Sequence, residues 1–123
     1  IDVKDGKLPL VIDMHGFGSR PGRQKQVSGF AAMADTEKFI VVWPAGLHAS
    51  WNGGQGCCRF SQEDEIDDVG FLRKMVTKVA ENGQVDLSRV YATGISNGSA
   101  MSQRLANEAS DLLAATASVA LYL

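Results

Sequence analysis

Apolar positions along the chain fall into two alternating spacings. Residues 8–14 (LPLVIDM) form a short, nearly continuous apolar run, the pattern of a parallel strand covered on both faces. Over residues 24–38, Val27, Phe30, Ala31 and Ala34 recur at i, i+3, i+4 and i+7, which predicts one helix with a single buried stripe. Residues 39–43 (FIVVW) predict a second buried strand, closed by Pro44. Val69, Leu72, Met75, Val76, Val79 and Ala80 return to helical spacing; Asp67 or Asp68 can cap that helix, and Asn82-Gly83 can end it. A third strand is expected over residues 87–93, a helix over 99–108, and a fourth strand over 114–121.

The resulting β-α-β-α-β-α-β alternation implies an α/β fold: a parallel sheet with right-handed crossovers and helices on both faces, a three-layer sandwich. Ligands in such sheets bind beyond the carboxyl ends of the strands. Three loops leave that edge: one at His15, a long one over residues 45–65 containing Trp51, and the turn at Ser96.

That turn reads Gly94-Ile95-Ser96-Asn97-Gly98, the G-x-S-x-G spacing of a nucleophile elbow, in which a serine sits on a tight strand-to-helix turn. Five letters prove little alone, but a strand is predicted to enter this turn and a helix to leave it. A serine hydroxyl needs a base to become a nucleophile, and acyl transfer needs N–H donors aimed at the developing oxyanion. The elbow offers Ser96 and the backbone N–H of Asn97. His15-Gly16-Phe17-Gly18 stands where the second donor loop of this architecture belongs, with the Phe17 N–H as the candidate. The triad order Ser, acid, His is not completed here, since only Glu108 and Asp111 follow Ser96 and no histidine does. His15 is read as structural. His48 lies on the correct face, but ahead of the serine in the chain. The acid and the histidine are therefore expected outside residues 1–123, whose non-Met start and apolar finish both look cut.

Composition narrows the partners. Hydrophobic residues make up 45% and charged residues 21% of the chain, as expected of a single globular domain spanning residues 1–123. A net charge of −2 with no basic patch argues against nucleic acid or an anionic membrane as partner, and no apolar run is long enough to span a bilayer. A dinucleotide reading of Gly16-x-Gly18 is weak: Pro21 stands where the third glycine should be, and Trp43-Pro44 supplies no ribose-binding acid. No cofactor and no metal are expected. Cys57 and Cys58 are adjacent, a spacing that disfavours a bond between them, and His48 alone does not complete a zinc site. They read either as two loop thiols or as one thiol bonded to a cysteine the chain lacks, which would imply an oxidising compartment.

Four segments, LPLVIDMHGFG, WPAG…SWNGG…CC, IDDVGFLRKMV and VYATGISNGSAM, together cover most of the chain. In them the chain resembles the secreted polyhydroxybutyrate-depolymerase-like esterases of the α/β-hydrolase fold, which include feruloyl and acetyl xylan esterases. The resemblance implies a secreted serine esterase acting on a small or polymeric carboxylic ester, of polyhydroxyalkanoate, feruloyl or acetyl type. Ser96 would be the nucleophile, Phe17 and Asn97 the oxyanion hole, and Trp51 and Asn52 neighbours of the substrate cleft. One of Cys57 and Cys58 would be bonded to a downstream cysteine, and Asp68 would anchor its helix. The chain departs from the family in lacking the acid and the histidine, so a noncatalytic relic is the alternative. In the usual strand order of that fold the first strand lies beside the third, leaving two sheet edges open to self-association.

Overall fold

The computed structural model describes residues 6–54, 57–58 and 63–120. Its sheet has four parallel strands, β1 (Leu8–Met14), β2 (Ile40–Val42), β3 (Val85–Ile95) and β4 (Ala115–Val119), in the order β2-β1-β3-β4. The first strand therefore pairs with the third, as expected. Helices α1 (Pro21–Ser28) and α2 (Phe30–Glu37) connect β1 to β2. Helix α3 (Asp68–Ala80) connects β2 to β3, and α4 (Asn97–Glu108) connects β3 to β4. This is the α/β architecture that the hydrophobic spacing implies. Among the described residues no helix is long and apolar enough to cross a membrane.

Strand alternation divides the layers. Leu10, Ile12 and Met14 of β1 and Val90 and Ala92 of β3 join Trp51, Leu72, Val76, Met101 and Leu105 in one buried cluster, so α3 and α4 share a face of the sheet. Asp13 falls between Ile12 and Met14 and so points to the opposite face. There its Oδ1 accepts from Gln24 Nε2 of α1 at 2.7 Å and its Oδ2 from Trp43 Nε1 at 2.8 Å. An aspartate is tolerated inside this apolar strand because both oxygens are paired.

Two elements differ from the sequence reading. The single helix expected over residues 24–38 is two helices, broken at Gly29, whose φ of 67° lies in the left-handed region and ends the hydrogen-bond ladder. The break turns Val27 out of the expected stripe, leaving it 53% exposed. Strand β3 starts earlier than expected, at Val85, and bulges: the step from Leu8 to Leu10 on β1 faces the step from Val85 to Val90 on β3. Asp86 holds the bulge, accepting from the Ser88 N–H at 3.0 Å, the Ser88 hydroxyl at 2.6 Å and Arg89 Nε at 2.8 Å.

Candidate active site

β3 delivers Ser96 to the carboxyl edge of the sheet, where the chain turns directly into α4. Ser96 has φ 53° and ψ −115°, a conformation that side-chain-bearing residues rarely adopt. Holding a residue there costs about 1–3 kcal/mol, and such strain concentrates at active sites. Two hydrogen bonds fix it: the Ser96 N–H donates to Val119 O at 2.9 Å, and Ser96 O accepts from the Ala100 N–H at 3.0 Å. The flanking glycines are required by close approach. A Cβ on Gly94 would lie 2.5 Å from the Gly98 carbonyl carbon and 2.8 Å from Met14 O. A Cβ on Gly98 would collide with Met14 O and lie 2.6 Å from His15 O. The start of α4 is thus pressed onto the end of β1, and only glycine fits. Ser96 itself is exposed, and its hydroxyl makes no capping bond to the helix.

Asn97 opens α4, so its N–H belongs to the first helical turn, where donors have no intrahelical acceptor. The loop after β1 runs alongside the elbow: a Cβ on Gly16 would sit 3.7 Å from Ser96 Cβ and 3.4 Å from Ile95 O. Phe17 follows, with a ring that is 52% exposed. The loop is tied down by Gly18 N–H donating to Ala49 O at 2.8 Å and Ser19 N–H to Gly16 O at 3.1 Å.

Beneath the serine lies a buried polar scaffold. The Asn97 side chain reaches Trp51 in both directions, accepting its N–H at Oδ1 (2.7 Å) and donating from Nδ2 to its carbonyl (3.0 Å). The Trp51 indole, fully buried, donates from Nε1 to His15 O at 3.0 Å. His15 in turn accepts the Gly46 N–H at Nε2 (3.0 Å), with Nδ1 2.7 Å from Gly16 O. Those partners assign the proton to Nδ1 and occupy both ring nitrogens, as the structural reading of His15 requires. Trp51 is therefore a strut between the elbow and the His15 loop. It has no exposed surface of its own.

Asn52 is also bound to the protein. Its N–H donates to Asp68 Oδ2 at 2.7 Å, its Nδ2 to Ile66 O at 3.0 Å, and its carbonyl accepts from Arg104 Nη1 at 2.6 Å. The two aspartates divide the work at the head of α3. Asp67 caps the helix through the Gly70 N–H, while Asp68 is buried and anchors the Asn52 loop. Burial pushes the Asp68 carboxyl above its ordinary range, partly offset by the Asn52 N–H and by Arg104. The two acids that follow Ser96 are taken by arginines: Asp111 by Arg73 at 2.7 and 2.9 Å, Glu108 by Arg104 at 3.0 Å. The Arg73 guanidinium holds the Asp111 carboxyl below the usual range.

His48 sits in the short turn Leu47–Ala49, on a groove with Asp67, Asp68 and Phe71; Ser96 is not among the groove's lining residues. Cys57 and Cys58 are bonded to each other, which corrects the expectation drawn from their adjacency; the left-handed φ of Cys58, 62°, goes with this turn. Among the described residues no group of three His, Cys, Asp or Glu side chains could hold a metal ion. Sequence reasoning missed the Asn97 side chain, the Asp13 clamp and the Asp68–Asn52–Arg104 link. Only Asp13 carried a signal, a charge within an apolar strand.

No family model matches the chain. Over 116 residues it is 31% identical to poly(3-hydroxyalkanoate) depolymerase C of Paucimonas lemoignei, covering 91% of this chain and 27% of that protein. It is 30% identical over 117 residues to feruloyl esterase B of Piromyces equi, covering 92% of this chain and 21% of that one. The chain thus spans less than a third of either relative's length. A solved complex of a pOPH variant with DMSO superposes with a TM-score of 0.69 at 19% identity, over 90% of this chain and 41% of that one. The resemblance seen in the sequence therefore holds: over about nine-tenths of its length the chain is similar to a polyhydroxyalkanoate depolymerase and a feruloyl esterase, and it shares the fold of pOPH.

Proposed function

We propose that the chain carries the nucleophile and oxyanion hole of a serine esterase that cleaves carboxylic esters through an acyl-enzyme on Ser96. The single observation that carries this reading is the exposed Ser96 at φ 53°, ψ −115° on a strand-to-helix turn, with the Gly16–Phe17 loop against it. In this scheme Ser96 Oγ attacks the ester carbonyl carbon, and the oxyanion is received by the N–H groups of Asn97 and Phe17. The alkoxide leaves with a proton, and water then releases the acid and restores the hydroxyl. Trp51 and Asn52 serve this site from behind, holding the elbow and its loop. The resemblance to secreted depolymerases and feruloyl esterases supports an extracellular setting and a polyhydroxyalkanoate, feruloyl or acetyl ester as substrate.

A fluorophosphonate applied to the full-length protein should label Ser96 and no other serine. Absence of label at Ser96 would end the proposal. One observation favours the relic reading instead: His15 has both nitrogens engaged, and Glu108 and Asp111 are paired with arginines. Ser96→Ala separates the two. An esterase loses about a thousandfold or more in kcat, whereas a relic, turning over only through binding and oxyanion stabilisation, loses almost nothing.

A further inference from the structure

The turn Leu47–Ala49 stands between the buried scaffold and the loop that carries the second oxyanion donor. His48 has φ 55° and ψ 34°, and Ala49 follows with φ 56°. Side chains disfavour this left-handed region, because Cβ then crowds the following carbonyl oxygen. Elsewhere among the described side-chain-bearing residues such conformations come singly: Lys38 closes α2, and Ser96 is the elbow itself. Here two are consecutive. The next residue adds a third anomaly. Ser50 is 1% exposed, and its Oγ is the one buried side-chain polar atom without a hydrogen-bond partner among the described residues. Folded proteins rarely leave such an atom unpaired, and strain held for a functional contact is one of the few reasons.

The ends of this turn are fixed and its middle is not. At the entry the Gly46 N–H donates to His15 Nε2 at 3.0 Å, and at the exit Trp51 is fully buried. A Cβ on Gly46 would collide with Ser50 O, so entry and exit are pressed together. Between them Leu47 is 53% exposed, and His48 is exposed as well. Two backbone bonds close the turn on itself, from Ala49 N–H to Gly46 O at 3.1 Å and from Ser50 N–H to Leu47 O at 3.2 Å. The middle can therefore rearrange without disturbing the core on either side. What the strained form secures is one contact: the Ala49 carbonyl accepts the Gly18 N–H at 2.8 Å, and Gly18 directly follows Phe17. Return of His48 and Ala49 to negative φ rotates the peptide planes of the turn and withdraws that carbonyl.

We infer that Leu47–Ala49 is a strained latch for the oxyanion loop. Ala49 O is a positioning group that holds Gly18, and through it the Phe17 N–H, beside Ser96; it alternates with a relaxed turn in which Gly18 is released. The use of the Phe17 N–H rests on the esterase reading, whereas the latch itself rests on the turn. Left-handed strain and the unpaired Ser50 hydroxyl burden the latched state alone, and so bring the two states close in free energy. An oxyanion received at Phe17 binds the latched state better and draws the turn into it. Occupancy of the oxyanion site and closing of the latch are therefore coupled, each favouring the other.

The test is amide hydrogen exchange followed by NMR, together with fluorophosphonate labelling of Ser96, both in the full-length protein. The Gly18 amide should be protected only about tenfold, far less than the paired amides of β1 and β3, which open with larger parts of the fold. His48→Gly removes one left-handed side chain, and Ser50→Ala removes the unpaired hydroxyl. Each should raise Gly18 protection about fivefold. A turn with a merely structural role gives the opposite result for Ser50, since deleting a buried group from it lowers protection. Ala49→Pro fixes φ at about −65° and forbids the latched turn. It should abolish Gly18 protection and slow Ser96 labelling about tenfold or more. Its urea midpoint should stay close to the parent's, because the released state is already near in free energy. Phosphonylation of Ser96 should raise Gly18 protection about fivefold. The inference is overturned if Gly18 is as protected as β1, if His48→Gly and Ser50→Ala both fail to raise its protection, or if Ala49→Pro labels at the parent's rate. Should the proline variant not fold, the other two decide. Absence of label at Ser96 would remove the esterase reading while the response of Gly18 to His48→Gly and Ser50→Ala stands. Unchanged exchange in those two variants would remove the latch and leave labelling intact.

Discussion

The Asn97 side chain closes two hydrogen bonds with the backbone of Trp51, while its N–H stays at the open end of α4. In the proposed scheme one residue thereby both supplies the oxyanion donor and fixes where that donor points. Truncating it leaves the buried Trp51 N–H without a partner and its carbonyl with the Gly53 N–H alone, so Asn97→Ala should cost about 1–3 kcal/mol. A fall in the urea midpoint at unchanged m-value would show this; an unchanged midpoint would mean the loop finds other partners. Glycines make a sharper contrast. Gly98→Ala drives a Cβ into Met14 O and should prevent the elbow from forming, a loss above about 3 kcal/mol. Gly22→Ala meets no atom within 4 Å inside α1 and should stabilise by about 0.5–1 kcal/mol. The places of Ser96 and Asn97 on the turn, and of Phe17 on the loop beside it, were legible in the sequence because they follow from the motif and the topology alone. Trp51 was not, since an aromatic residue in a long loop gives no sign of which way it faces. Its burial follows from partners 36 and 46 residues away, His15 and Asn97.

At the level of elements, the apolar periodicity located the four strands and helices α3 and α4 but merged α1 and α2 into one, because burial on one or both faces leaves a periodic imprint. What it could not locate were features decided by a few polar atoms. The break at Gly29 is one, for a helical stripe continues through it on paper. The β3 bulge is another, built on the Asp86-Leu87-Ser88-Arg89 turn. The bulge has a pH signature. Ser88 and Arg89 pull the Asp86 carboxyl from 3.8 down to about 2 in the folded chain. Its folded pKa is below its unfolded one, so its contribution is complete above about pH 4 and is lost as pH falls through about 2. Asp86→Asn should flatten the stability profile across that window and leave its shape at neutral pH unchanged. Asp68 works in the opposite sense, since burial raises its pKa. Its contribution is complete at acid pH and fades as pH rises through the raised folded value, so Asp68→Asn should relatively favour the fold near neutrality. Urea midpoints measured against pH for both variants check the pair; parallel profiles would refute the assignment.

The sheet as a whole has two edges, and they are not equivalent. β2 is three residues long, pairs with β1 and runs straight into Trp43-Pro44, a short edge of the kind that resists further pairing. β4 is five residues long and pairs only with β3 among the described residues. Its sequence, Ala115-Thr116-Ala117-Ser118-Val119, holds no charge and no proline, so neither of those devices blunts this edge. Most of its residues are exposed, Val119 to 50%, and on the face covered by α1 and α2 a cavity of about 220 Å3 opens between Phe30, Tyr91 and Ala117. Unpaired backbone and uncovered apolar side chains thus lie on the same strand. We therefore expect the 123-residue chain to self-associate through β4. Sedimentation velocity should show a reversible, concentration-dependent species larger than the monomer. Ala117→Lys, an exposed position, should suppress it while shifting stability by no more than about 0.5 kcal/mol. A single monomer at every concentration and salt level would exclude edge pairing, and association that survives Ala117→Lys would place the contact elsewhere than β4.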